Sequence, residues 1–318
     1  MKLIDDPIVC DTILDISHKT LLGLCIIIFG ILGSLLNIWL LVAFCLTSIL
    51  VSRTYLPFLS LSIVTLCEEI LTGYLFTSVS SFYGRWIFGT LSCRLFALFR
   101  TMLKIFEKLN IALIALEEYI LTKQENKEKE LPFIFYVALV TICWLFSFIV
   151  SVLPLIGYGE FHCDITGVKC DLNWSAKDNR NITYNIFVFV LEDVIPFMIC
   201  YFCLKWSSLD QERSSSRRIR IERRDKRKTV VYLCTMVFFF NFPETILKFI
   251  LLLNSTLEVY LPISLIILAT LVTEASKMVP VLLYLMCEPN IRKALINAIS
   301  TFKFMKKKKY QVSTKSNK

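Results

Sequence analysis

Seven runs of about twenty mostly apolar residues divide this chain, at 20–46, 55–79, 93–118, 133–157, 184–205, 229–253 and 261–287. At about 1.5 Å of rise per residue, each is long enough as a helix to cross the roughly 30 Å hydrocarbon core of a bilayer. A helix also satisfies its own backbone there, which an open strand cannot do. With 56% hydrophobic residues and a mean hydropathy of +0.63, the chain is too apolar for a soluble domain with a covered core. The expected fold is an all-α membrane protein: a seven-transmembrane helix bundle (helices 1 to 7, residues 20–287), with 1–19 before it and 288–318 after it. Runs 3 and 7 carry charges and are the weakest spans.

Two independent signals orient the bundle. Lys and Arg concentrate at 123–129, at 205–228 and from 292 onward, whereas the opposite side holds Lys2, Lys19, Arg85, Lys169, Lys177 and Arg180. The excess of basic residues marks the cytoplasmic side and places the N-terminus outside. The Asn-x-Ser/Thr sequons at Asn173, Asn181 and Asn254 all fall in loops on that outer side, where glycosylation occurs. The expected location is the cell membrane, with several spans. The first nineteen residues lack an apolar core and are not a cleavable signal; helix 1 serves as the anchor.

The formal net charge of +9 therefore implies anionic membrane lipid as a partner, and not nucleic acid. Most of it lies in "RSSSRRIRIERRDKRK" (213–228) and "KKKK" (306–309), beside the membrane. The same segments also offer a docking surface for an acidic cytoplasmic partner. Of twelve cysteines, most sit within helices as small apolar residues. Cys10, Cys93, Cys163 and Cys170 lie on the oxidising side, and their spacing leaves three pairings open. With two histidines, His18 and His162, and no ligand spacing on a shared helix, no metal site is expected. Nothing reads as a hydrolase triad or phosphate loop, so no enzyme activity is expected. An inverted repeat and a Gly/Pro-broken helix pair, which mark transporters, are not apparent.

Several motifs carry a family resemblance. "WIFGTLSC" (86–93) resembles the signature leading into helix 3 of rhodopsin-like (class A) G-protein-coupled receptors, and Asn37, Trp144, Pro154, Pro196 and Pro243 fall where that superfamily has landmarks. "PVLLY" (280–284) is similar to the end of its helix 7. In the stretch that follows, Ile291, Leu295, Ala298, Ile299 and Phe302 recur at helical spacing, as in a short amphipathic helix lying in the membrane interface. The loop "KCDLNWSAKDNRNITYNIFVFVLEDVIPF" (169–197) resembles that of opsins, notably the chromopsin group of the retinal G-protein-coupled receptor and peropsin-like proteins, and also encephalopsin. The resemblance implies a Cys93–Cys170 disulfide, with Cys163 free or joined to Cys10. It implies retinal as a ligand and a heterotrimeric G protein as a partner.

Helix 7 departs from the opsin pattern. Opsins hold retinal as a Schiff base on a lysine ten residues before the tyrosine that corresponds to Tyr284, and the gap-free count gives Glu274. Lys277, in "KMVP", is the rival position. It requires three residues to be missing before Tyr284, which would rotate the rest of a continuous helix by about 300° and shorten it by about 4.5 Å. The register favours Glu274. A carboxylate cannot form a Schiff base, which needs an amine nucleophile. The sequence is similar to gluopsins, which have glutamate there, and this implies noncovalent retinal or another small-molecule ligand.

The spans carry many ionisable residues, each costing roughly 2.5–3.5 kcal/mol at mid-bilayer, so they are expected to face inward and pair. Helix 3 holds Arg100, Lys104, Glu107 and Lys108 largely on one side. Glu68, Glu69, Glu192, Asp193, Glu244, Lys248, Glu274 and Lys277 lie on other helices. Arg100 or Lys104 is the expected partner of Glu274 or Glu68. The network either holds the helices together or lines a pocket for a polar or zwitterionic ligand, with Arg100, Lys104, Glu68, Asp164, Glu192, Asn241 and Glu244 as pocket candidates. By position Asp164 matches an opsin counterion in the loop, although a solvated loop acid is the plainer reading. At the cytoplasmic end Glu117, Glu118 and Tyr119, with Arg217, Arg218, Arg223 and Arg224, are the G-protein-contact candidates. Glu118 replaces the family's arginine, Asn241 its toggle tryptophan and Thr65 an aspartate; these departures point away from efficient G-protein activation.

Overall fold

The computed structural model describes residues 10, 14–46, 55–123, 132–164, 166–211, 217–253, 262–289 and 291–297. Helix 1 is Ile16–Leu46, helix 2 Leu56–Tyr83, helix 3 Gly89–Lys123 and helix 4 Phe133–Val152. Helix 5 runs over 179–211 and helix 6 is Arg217–Leu253. Helix 7 forms two pieces, Ile263–Ser276 and Val279–Cys287. Between helices 4 and 5, β1 (Phe161–Cys163) pairs antiparallel with β2 (Cys170–Leu172), setting Cys163 opposite Cys170.

Burial follows the lipid-facing logic of a membrane bundle. Helices 1, 2, 4, 5 and 6 are each long and apolar enough to cross a bilayer, and the two pieces of helix 7 qualify together. Helix 4 turns Ile142, Leu145, Phe148 and Ile149 outward, an arrangement that water would oppose and hydrocarbon accepts. Helix 3 does the reverse. It packs against helices 2, 4, 5 and 6 and both strands, so neighbours surround its charged face.

The continuous helix 7 expected over 261–287 is broken. Its pieces bend by 47° at Lys277–Met278, because Pro280 has no N–H to offer the carbonyl of Ser276 and its ring crowds the preceding turn. The rotation of about 300° that three missing residues impose on a continuous helix therefore does not carry across this break to separate Lys277 from Tyr284. Helices 2 and 5 each contain a π-helical turn, Glu69–Gly73 and Val190–Val194, and each turn presents ionisable residues inward.

The hairpin is pinned to helix 3. Cys93–Cys170 and Cys10–Cys163 are disulfides, and the sulfurs of Cys93, Cys163 and Cys170 lie within 4.8 Å of one another. Trp86 stacks with Phe76 and meets Phe88 and Phe96 edge-on. Its indole donates to Gly89 O at 3.0 Å, and Gly89 has φ +82°, a conformation that favours glycine. The motif at 86–93 thus forms the corner that starts helix 3.

After helix 7, residues 291–297 are helical. The apolar face expected to lie in the membrane interface packs instead into the bundle: Ile291, Ala294 and Leu295 are buried in the core that also holds Phe58 and Tyr284. Ala298, Ile299, Phe302 and Asn254 lie outside the described residues. So do the side chains of Arg217, Arg218, Arg223 and Arg224, whose backbone belongs to helix 6.

Candidate functional site

The centre of the bundle is a cluster of ion pairs that starts at Arg100 on helix 3. The Arg100 Nε lies 3.1 Å from Asp171 Oδ2 on β2, Nη2 lies 3.6 Å from Glu244 Oε1 on helix 6, and Nη1 lies 4.0 Å from Glu274 Oε1 on helix 7. Three elements therefore meet on one buried guanidinium, whose planar fork suits several carboxylates at once. One turn along, Lys104 also pairs with Glu244 Oε1. Lys248 on helix 6 reaches Glu192 on helix 5 at 2.7 Å.

Lys277 closes the cluster. Its Nζ lies 2.6 Å from Glu274 Oε2 and 3.9 Å from Glu68 Oε1, with its side chain only 2% exposed. Glu274 pairs with Arg100 as expected, and it also takes Lys277, which is the ion-pair partner of Glu68 in place of Arg100 or Lys104. Two glycines make room. A Cβ at Gly73 would sit 3.5 Å from Lys277 Nζ, and one at Gly33 only 1.8 Å from Glu69 Oε1. Glu69 accepts from Ser34 at 3.1 Å. Lys108 pairs with Glu107 at 3.6 Å and stands over Phe238.

Other candidates fall elsewhere. The Asn241 amide donates to Val237 O at 2.8 Å, within its own helix. Asp164 is not a solvated loop acid: it accepts from Thr166 Oγ1 at 2.5 Å and lies 3.6 Å from Lys169. Burial raises its carboxyl above the ordinary range, against the pull of Lys169 and Thr166. Asp171 is also buried, which alone would raise it, yet the charges of Arg100 and Lys104 hold it below the ordinary range. Asn173 donates to Glu160 at 2.9 Å and Asn181 is half-buried at the start of helix 5.

The sequence reading missed Asp171, although a signal was present. Once Cys170 is tied to Cys93, the residue after it lies over helix 3 within reach of Arg100, two turns on from Cys93. A cavity of about 80 Å3 opens beside this cluster, between the hairpin and helices 6 and 7; Asp164, Lys169, Asp171, Trp174, Glu244 and Lys248 line its polar side.

At the opposite end, Glu117 and Glu118 are both buried. Glu117 accepts from Tyr136 at 3.3 Å, and Tyr119 lies 6.0 Å from Trp206 with Lys123 over its ring. Asn37 ties helix 1 to helices 2 and 7, accepting from Thr65 at 2.9 Å and donating to Lys277 O at 3.4 Å.

Known proteins match this chain in sequence and fold. Residues 36–290 match the profile of the 7 transmembrane receptor (rhodopsin family). The visual pigment-like receptor peropsin of Mus musculus is 21% identical over 131 residues, 41% of this chain and 39% of that protein. The retinochrome of Todarodes pacificus is 22% identical over 132 residues, 41% and 44% of the two chains. A rhodopsin of Mizuhopecten yessoensis described as GQ-coupled is 25% identical over 184 residues, 58% and 37%. The matched region thus spans less than half the length of each relative. The crystal structure of squid rhodopsin superposes with a TM-score of 0.79 at 16% identity, covering 92% of this chain and 88% of that one. The chain is a multi-pass membrane protein that belongs to the rhodopsin family of seven-transmembrane receptors, and it is opsin-like.

Proposed function

We propose that this chain is an opsin-related receptor that holds no covalent retinal, with Glu274 standing at the lysine position and an ion-pair cluster occupying the middle of the bundle. The observation that carries this reading is the setting of Lys277, the nearest amine. It is committed to two carboxylates, Glu274 at 2.6 Å and Glu68 at 3.9 Å. A Schiff base requires a free amine to attack the aldehyde, and that attack would have to break both contacts in a buried site. Retinal, if bound, is held noncovalently. A second reading has one observation in its favour: Lys277 points inward, and Glu68 and Glu274 are placed as ready counterions for a protonated Schiff base, as a photoisomerase-type opsin would need.

The N-terminus and the hairpin face the outside, with Asn173 and Asn181 as glycan acceptors. The basic segments face the cytoplasm and anionic lipid. Coupling to a heterotrimeric G protein, in line with the relative described as GQ-coupled, would use the end that carries Glu117, Glu118 and Tyr119. The buried Glu118, in place of an arginine, makes that coupling weak.

The test is regeneration of the purified receptor with 11-cis and all-trans retinal, then borohydride trapping and peptide mapping. No trapped adduct is the expected result. An adduct on Lys277 would overturn the reading and establish the second one.

A further inference from the structure

Two disulfides meet on the hairpin. Cys93–Cys170 ties it to helix 3 and Cys10–Cys163 ties it to the segment before helix 1, and the sulfurs of Cys93, Cys163 and Cys170 all lie within 4.8 Å of one another. Cys163 is thus close to both sulfurs of a bridge it does not belong to. It also faces Cys170 directly across the ladder. The Asp164 N–H donates to Lys169 O at 3.0 Å, which puts the ladder bond on the next pair and leaves Cys163 and Cys170 as a non-hydrogen-bonded pair. Such residues sit about 4.5 Å apart at Cα with their side chains close, inside the roughly 4.4–6.8 Å that a disulfide spans. The third pairing, Cys163–Cys170, fits the strands as they stand.

The two bridges differ in access. Cys10 and Cys163 are half-buried, whereas Cys93 and Cys170 are fully covered. A thiol arriving from water can meet the first bridge and not the second, and exchange needs a thiolate to reach a disulfide sulfur.

We propose that the hairpin is a thiol–disulfide exchange site for a small soluble thiol, with Cys10–Cys163 as the entry and Cys163 as the relay to Cys170. The external thiolate attacks Cys10 Sγ; the Cys10–Cys163 bond breaks, Cys10 keeps the incoming sulfur as a mixed disulfide, and Cys163 takes the electron pair as a thiolate. Cys163 then attacks Cys170 Sγ. A Cys163–Cys170 bond forms, the Cys93–Cys170 bond breaks, and Cys93 leaves as a thiolate that takes up a proton. The number of disulfides is unchanged, so no separate oxidant or reductant is required. The new bridge closes within the hairpin, and helix 3 loses its covalent tie to β2. Asp171, the residue after Cys170, is then held to Arg100 by the 3.1 Å ion pair alone. The site involves neither Glu274 nor Lys277 and stands apart from the retinal question.

The test treats the full chain in lipid nanodiscs with glutathione, quenches in acid, alkylates free thiols and maps the peptides without reduction. Cleavage after Lys169 separates Cys163 from Cys170, so their bridge reads as a linked peptide pair. The expected products are glutathione on Cys10, a Cys163–Cys170 link and an alkylated Cys93. Cys10→Ser leaves Cys163 without its partner and is expected to show the Cys163–Cys170 link with no thiol added. Cys163→Ser removes the relay and is expected to slow the release of Cys93 at least about tenfold, since the remaining bridge is covered. Failure of glutathione to open either bridge, an alkylated Cys163 beside an intact Cys93–Cys170, a folded Cys10→Ser with only Cys93–Cys170, or unchanged release of Cys93 in a folded Cys163→Ser would each overturn the proposal.

Discussion

Glu274 divides its two oxygens between two cations: Oε2 lies 2.6 Å from Lys277 and Oε1 lies 4.0 Å from Arg100. Helix 7 is thereby tied to helix 3 through the same carboxylate that engages its own lysine. Glu274→Lys would put a third cation against Arg100 and Lys277. It is expected to lower the melting temperature, while adding Lys277→Glu restores the i,i+3 pair and recovers part of the loss. Thermal unfolding of both singles and the double measures the coupling; strict additivity would show that the pair is energetically independent.

Arg100→Met leaves Asp171 and Glu244 short of a buried counter-charge. Breaking one side of a buried pair costs about 3–5 kcal/mol. Expression and melting temperature should both fall, and Asp171→Asn in the same chain should return part of the stability.

The pH response separates the two hairpin acids. Arg100 holds the Asp171 carboxyl low in the folded state, so its contribution is present above the unfolded value of about 3.9 and is lost as pH falls below it. Asp164 is raised, so the folded state binds its proton more tightly, and its contribution fades as pH rises through the folded value. In melts against pH, Asp171→Asn should flatten the loss at the acid extreme, and Asp164→Asn should remove a gain on mild acidification. Unchanged profiles in folded variants would refute these assignments.

Gly30→Ala tests the seam between helices 1 and 2. A Cβ there would sit 2.4 Å from Tyr74 Cδ1 and 2.6 Å from Tyr74 Cβ. Tyr74 Cβ is close to the backbone and cannot swing away, so a cost of about 1–3 kcal/mol is expected. A stability equal to the parent's would show that the helices separate freely.

Cys93→Ser removes a bridge between residues 77 positions apart and is expected to cost about 2–5 kcal/mol, seen as reduced surface expression. Normal surface levels would place the anchoring of the hairpin in the Trp86 corner instead.

How much of this was legible in the sequence depended on what each feature needs. Helices 1 and 4 needed only an apolar run of sufficient length, and they could be read directly. The charged face of helix 3 was visible as spacing, but not its partners, because pairing depends on which helices surround it and on a loop hairpin that carries Asp171. The π-helical turns at Glu69–Gly73 and Val190–Val194 have no local signature beyond Gly73, since the extra residue shifts the phase of the apolar pattern by about 100° without changing the types of residue that carry it. Pro280 was visible, and the break before it was legible in principle. Its effect on the register between Lys277 and Tyr284 was not, because that is set by the bend itself.

The central place of helix 3 bears on how the chain enters the bilayer. Helix 3 is not among the helices apolar enough to cross a bilayer alone, and the acids in ion-pair contact with Arg100 and Lys104, namely Asp171, Glu244 and Glu274, are synthesised later. Its settled place in the bilayer is therefore expected only once helices 6 and 7 have emerged. In nascent chains halted after helix 5, a cysteine placed in helix 3 should react with a water-soluble maleimide, and in chains released after helix 7 it should not.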